Sequence, residues 1–476
     1  MASRRDLYQS YQSSVRRLVA GMVLREADPA QSPLRRMGGA VFGSVMVAVL
    51  TLAVAGVIGV VSPGGNTTWQ ESGAVVVEEE TGARFVWLAD PDRVFHLHPV
   101  DNLATAALLV GTAETVQVSA ASLAGVPRGQ RLGIAGAPDS LPAPDRLLGA
   151  PWTLCSTAPE SGTGDVVPDT VLVVGRSTSS GDPVGSGAVL VRDVQEGTLH
   201  LVWQGRQYPV PQEDAVLEGL TLRLQPQVEV GTAWLNALPA GRALAPEPAA
   251  GRGTPSAGLP GAVVGEVRVV TSADGEQYYQ VTQAGIEEIT AVQSALLLAD
   301  PTIRDTVYVG RAPEALPLPA AEANAVPRTE LGDPQPADPP VDPPSPADVA
   351  SSASAVCASF GGADGLPTVS AQAAVADTPS AAITRGVSAD GTVLADRVVV
   401  EPGGGAVVTA RASATATAGG LFLVTDEGVR YAVPSTDVLA DLGYGGVEPV
   451  PMPSSLVARL PAGPELDPDD AVLPAR

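Results

Sequence analysis

Apolar and small residues fill Met37 to Val61 without one charge, a run of 25. A bilayer core takes about 20 apolar residues at roughly 1.5 Å rise each, so the run predicts one membrane-spanning helix over 37–61. It is too long for a signal-peptide core and lacks a clear cleavage site, so it reads as a retained anchor. Upstream, Leu7, Tyr11, Val15, Leu18 and Met22 recur every three or four residues, which is one face of a helix. Arg16, Arg17 and Arg25 lie off that stripe. Such a helix suits docking on a partner or on the inner membrane surface.

Beyond the anchor the pattern shifts to short apolar strands, and it repeats. Trp203-Gln204-Gly205-Arg206-Gln207-Tyr208-Pro209-Val210 has a counterpart in Asp426 to Val433, with Tyr431 two residues before Val433. Asp274-Gly275 through Tyr278, Tyr279 and Val281 reads as a third copy. Leu97-His98-Pro99-Val100 reads as a fourth, with His98 in the aromatic position. Helical stretches are expected after each, at Leu103 to Val110, Glu213 to Leu220, Ile286 to Leu298 and Asp437 to Leu442. Ser435 or Thr436 suits the last one as a cap. The copies also end alike. Val126-Pro127 with Gly129, Leu238-Pro239 with Gly241, and Leu460-Pro461 with Gly463 follow their last strands at identical spacings. The third copy loses that ending near Thr306-Val307-Tyr308-Val309. These units predict four small domains of the form strand, turn, strand, helix, strand.

The remaining segments fix an expected layout. An amphipathic arm covers 1–36 and the transmembrane helix 37–61. Repeat domains cover 66–146, 191–242, 262–311 and 416–465. A central β core is assembled from 147–190 and 347–415, including strands at Thr170 to Val174 and Ala188 to Val191. Val398 to Val400 and Ala406 to Val408 read as a hairpin across Gly403-Gly404-Gly405. Residues 243–261 are a Pro, Gly and Ala-rich linker. Residues 312–346 hold eleven prolines and are expected to be extended and mobile. A short tail, 466–476, closes the chain. The fold class is therefore a single-pass membrane protein with a β-rich α+β exterior.

Charge orients the chain. Residues 1–36 carry a net charge of +4, and everything after the anchor sums to −28. Cationic flanks stay in the cytoplasm, so Arg35 and Arg36 are topology determinants, with the N-terminus inside and the large domain outside. An acidic exterior excludes a phosphate-binding nucleic-acid surface. The chain has no lysine, which removes a Walker A loop and Schiff-base chemistry. The two cysteines, Cys155 and Cys357, both lie outside, where an even count favours one disulfide. That bridge would tie the two halves of the central core. His96 and His98 sit at i and i+2 on a strand, the one close histidine pair, without a Cys or third His nearby; no metal site is assigned. No Gly-x-Ser-x-Gly elbow or zincin motif occurs, and no residue is assigned a catalytic role.

Val15 to Ala20, Pro33 to Ala40, the anchor ending in Pro63-Gly64-Gly65, Glu80 to Trp87, His98-Pro99-Val100 and Pro151 to Cys155 together resemble the EccB family. These are membrane components of the type VII (ESX) secretion system of actinobacteria. The resemblance spans essentially the whole chain. It implies a structural and assembly subunit of an inner (plasma) membrane complex, beside an EccC-like FtsK/SpoIIIE-type ATPase, EccD and EccE. It implies a periplasmic part that self-associates and shapes the exit side, with a disulfide-linked core and repeats similar to phage endolysin wall-binding modules. Leu7, Tyr11, Val15, Arg16, Arg17, Leu18 and Met22 would then form the partner-binding arm. Some members carry an attribution of ATP hydrolysis. With no lysine present, no cofactor is expected. The alternatives are a membrane-anchored cell-wall-binding protein and an ATPase.

Overall fold

The computed structural model describes residues 3–24, 33–61, 67–157, 168–177, 181–273, 275–347, 355–363, 365–371 and 381–475, and in its first two helices the side chains of 3–22 and 38–54. It divides into two compact units. One comprises Met1–Ser72, Glu78–Gly82 and Gln117–Val126; the other comprises Gly73–Val77, Ala83–Val116 and Pro127–Arg476.

The first unit holds two long helices, Arg4–Leu24 and Pro33–Val61, of 21 and 29 residues. Ser3 and Asp6 cap the first reciprocally: the Ser3 amide donates to Asp6 Oδ2 at 3.0 Å and the Asp6 amide to Ser3 Oγ at 3.4 Å. The second helix takes in the whole uncharged run and begins four residues earlier than expected, with Pro33 in a position where its missing N–H costs nothing. Among the described residues no helix is long and apolar enough to cross a membrane; the side chains of 55–61, and those of Arg35 and Arg36, lie outside that set.

Among the described residues the strands form four small sheets and one larger one. The small sheets share an order in which the third, second and first strands of a repeat are followed by its fourth. In the last three repeats the fourth strand runs parallel to the first, as Gln227–Val230 does beside Ala188–Asp193. The first, second and fourth repeats thus have one more strand than the expected form, and the third has a fifth, Arg328–Thr329. A helix separates the third and fourth strands, as Leu103–Val110 and Glu213–Gly219 do. Its start is fixed by local chemistry: Asn102 Oδ1 accepts from the Thr105 amide, Ser435 Oγ from the Val438 amide, and Thr290 with Gln293 forms a capping box.

A short second helix follows the fourth strand, and the chain then returns beside the third strand. Leu97 pairs with Arg128, Gln207 with Ala240, Ile286 with Arg328 and Arg430 with Ala462, all in parallel. This return explains the shared endings. The glycine after the proline lies on the ring of the third strand: Gly129 on His98, Gly241 on Tyr208, Gly463 on Tyr431, each leaving no room for a Cβ.

Three expectations need correction. Val398 to Val408 is not a hairpin. Arg397–Val399 joins the central sheet parallel to Asp169–Val173, whereas Gly405–Arg411 opens the fourth repeat. Ala188–Asp193 likewise opens the second repeat rather than belonging to the core. In the third repeat, Gly275 marks the turn between the first two strands, Val267–Ser272 and Gly275–Val281. Its third strand is Ile286–Ile289, so the helix begins at Ala291, not at Ile286. By backbone pairing, Glu287 occupies the aromatic slot and Thr329 the glycine slot. The slot chemistry has changed while the fold has not, which is why the pattern is lost there.

The linkers are also more ordered than their composition implied. Leu316–Pro317 is the fourth strand of the third repeat and Ala320–Ala323 its closing helix. Farther on, the carbonyls of Ala337 and Val341 accept from the Arg242 and Val292 amides at 2.7 and 3.2 Å. Prolines remove donors but keep every acceptor, so a proline-rich strand can still be held by neighbours that donate. Leu244, in the first linker, is buried in the second repeat's core. The C-terminal tail forms a helix, Pro468–Ala471, and Ala475 then donates to the Arg131 carbonyl at 3.0 Å.

The larger sheet has seven strands, with Trp152–Thr157 and Ala355–Phe360 adjacent and antiparallel at its centre. Cys155 and Cys357 are directly opposite in that register and are bonded. Alternation sends Trp152, Leu154, Val356, Ala358 and Phe360 to one face. There they pack with Trp234 and Leu235 of the second repeat and with Leu456, Val457 and Leu460 of the fourth. The cysteines face the other way, in a small cluster with Ala355. Trp234 Nε1 donates to the Leu154 carbonyl at 3.1 Å, and Ser455 Oγ donates to the Ala237 carbonyl at 2.8 Å. The repeats also pair through their helices. The first packs with the fourth through Ala104, Ala107, Leu108, Leu439 and Leu442. The second packs with the third through Val216, Leu220, Val292 and Leu296.

Candidate interaction surfaces

The N-terminal helix presents its apolar stripe to solvent. Leu7, Tyr11, Leu18 and Met22 are each at least 60% exposed and Val15 is 41% exposed. Arg16 and Arg17 are exposed beside them. The buried position on the helix is Ala20, outside the stripe. Five large apolar side chains on one uncovered helical face form the kind of patch that marks a docking surface.

The histidine pair acquires a neighbour that sequence reading missed. Asp90, at the turn before their strand, brings Oδ2 to 2.7 Å from His96 Nδ1 and Oδ1 to 3.4 Å from His98 Nε2. The pattern Asp90-Pro91-Asp92-Arg93 ahead of a strand was the available signal, since a hairpin turn returns Asp90 toward His96. His98 Nδ1 lies 3.0 Å from the Gln130 carbonyl, which can only accept, so Nδ1 is the donor in that contact. His98 is buried, which fits its role in the ring slot of the first repeat. Among the described residues no group of three or more His, Cys, Asp and Glu side chains is arranged to hold a metal ion.

Several other polar groups of the second unit are structural. Burial pushes the Asp300 carboxyl up, but hydrogen bonds from Thr302 and the guanidinium of Arg252 at 2.5 Å outweigh it and hold it below its ordinary range. Glu266 is buried between Arg268 and Arg311. Asp169 accepts from Arg397 Nε at 2.6 Å, and burial raises neighbouring Asp396, which accepts from the Thr170 amide at 2.8 Å. These groups terminate strands, cap helices or join neighbouring strands.

Comparison with known proteins decides the family. The model of the family described as "Type VII secretion system ESX-1, transport TM domain B" matches residues 1–475. The chain belongs to this family. The ESX-3 secretion system ATPase EccB3 of Mycobacterium tuberculosis is 30% identical over 492 residues, covering 96% of this chain and 87% of that protein. The ESX-1 secretion system ATPase EccB1 of the same species is 28% identical, covering 96% and 92%. Among solved structures, the EccB3 dimer from an ESX-3 core complex matches with a TM-score of 0.60 at 27% identity, over 84% of this chain and all of that one. A chain of an intact ESX-5 inner membrane complex matches with a TM-score of 0.61 at 23% identity, over 100% and 96%, a likeness of fold. The EccB resemblance read from the N-terminal motifs is therefore correct.

Proposed function

We propose that this chain is a structural and assembly subunit of a type VII secretion inner-membrane complex. The observation that carries the reading is the match to the whole of the solved EccB3 dimer chain, in a chain whose family match runs from residue 1 to 475. In this reading the uncharged run inside Pro33–Val61 spans the membrane, Arg35 and Arg36 hold the N-terminus in the cytoplasm, and the repeats and disulfide sheet lie on the periplasmic side. The repeats self-associate and shape the exit side. The exposed stripe of the N-terminal helix grips cytoplasmic partners of the EccC, EccD and EccE types.

The arm supplies a specific test. Leu18→Asp combined with Arg17→Glu leaves the anchor untouched and puts charge into the stripe. Seating a charge in an apolar interface costs on the order of several kcal/mol. Recovery of the ATPase and EccD-type partners on pull-down should fall, and secretion with it, while membrane insertion stays normal. Full partner recovery and full secretion would reduce the arm to a tether.

The relatives' name of ATPase motivates a second reading, ATP hydrolysis. The sequence opposes it, because no lysine is available to reach the terminal phosphates. Turnover of ATP by the purified chain, lost on removal of magnesium, would overturn that exclusion.

A further inference from the structure

A cleft of about 760 Å³ lies where the second repeat, the fourth repeat and the central sheet meet. Three arginines line it: Arg206 from the third strand of the second repeat, Arg411 from the first strand of the fourth, and Arg459 just past the fourth repeat's closing helix. Asn236, Ser413 and Thr415 add neutral hydrogen-bonding groups. Among the described residues no Asp or Glu lines the cleft. In a chain of net charge −24 that balance is the reverse of expectation.

Arg459 sharpens the point. It is 7% exposed, yet its guanidinium donates to backbone carbonyls, those of Ser455 and Val393. Burial lowers its pKa, and the nearby charge of Arg430 lowers it further. Among the described residues neither Arg459 nor Arg206 has a carboxylate partner. A buried cation without a counter-charge is costly, and Arg459 is one of the residues that line the cleft. The volume falls in the range of small-molecule sites and far exceeds that of a single inorganic ion.

We propose that this cleft binds a small organic anion carrying at least two negative charges, borne on phosphate or carboxylate groups, held by Arg206, Arg411 and Arg459. Guanidinium forks match both groups in bidentate geometry. The proposal is independent of the assembly role above.

The test is calorimetric titration of the full-length chain in detergent with pyrophosphate and with citrate, at low and high ionic strength, against sucrose as a neutral control. Saturable binding of at least one anion that weakens with salt is expected. Pyrophosphate alone would assign phosphate chemistry, citrate alone carboxylate chemistry, and both an unselective anion site. Arg206→Gln should weaken binding about tenfold, the effect of one lost charge-assisted contact. Arg223→Gln, at a surface pair with Asp214 and Glu218, should leave it unchanged. Thermal melts of the two variants establish that both are folded. No saturable binding of either anion, or equal binding by Arg206→Gln and the parent, overturns the proposal.

Discussion

Gly241 and Gly463 each lie flat on a tyrosine ring, Tyr208 and Tyr431. The contact holds the returning chain against the third strand of its repeat, where Gly241 donates to the Gln207 carbonyl and Gly463 to the Arg430 carbonyl, both at 2.8 Å. Gly241→Ala or Gly463→Ala forces a methyl group into the ring contact. Each should cost about 1–3 kcal/mol, the usual range for overpacking, measured by urea unfolding of the whole chain. Asp300 makes a second residue-scale prediction. Its carboxyl is held below its ordinary value of 3.8, so its contribution to stability is present above that value and lost as pH falls through the folded pKa. Asp300→Asn should destabilise by about 1–3 kcal/mol near neutral pH, through the lost pair with Arg252. The gap between variant and parent should close under acid conditions; a gap independent of pH would contradict the assignment. The glycines and tyrosines were legible as a spacing rule, because ring and glycine recur in three copies. Their contact was not, since nothing in a spacing says that two positions some thirty residues apart touch.

At the scale of elements, helix starts were the most readable feature. Leu103–Val110 matches its expected span, and Ser435 caps as its type suggests, because capping and periodicity are local. Strand partners were harder to read. Val398 and Val408 belong to different sheets although only a glycine turn separates them, since a hairpin and a crossing between sheets share the same local composition. Ile286–Ile289 was read as helix because its alternation is too short to outweigh the helical run after it. The disulfide joins the two central strands at facing positions, 202 residues apart in sequence. In the chain-entropy model a loop of that size is worth roughly 5 kcal/mol. Cys357→Ser should therefore loosen the central sheet, on which the second and fourth repeats pack, and lower the yield of assembled complex. Unchanged thermal stability under non-reducing conditions would argue against that role.

For the whole molecule, repeat packing and membrane placement stand on different footings. The pairing of first with fourth and second with third repeats is carried by buried side chains such as Leu108 with Leu442 and Val216 with Leu296. No sequence pattern announces it, because any amphipathic helix of this length could choose another partner. The stripe of the N-terminal helix and the uncharged run of the second helix were legible as helices, being patterns of one segment each. The topology read from charge predicts that protease added to spheroplasts removes the large domain and spares the arm; protection of residues after 65 would refute it. The proposed place of this chain is within a large membrane assembly. Its most direct test is affinity purification of the tagged chain from detergent-solubilised membranes, followed by native electrophoresis and mass spectrometry of the band. One large species is expected, containing several copies of this chain together with an FtsK/SpoIIIE-type ATPase and the EccD- and EccE-type subunits. Migration as a lone protein, or as a dimer free of those partners, would contradict it.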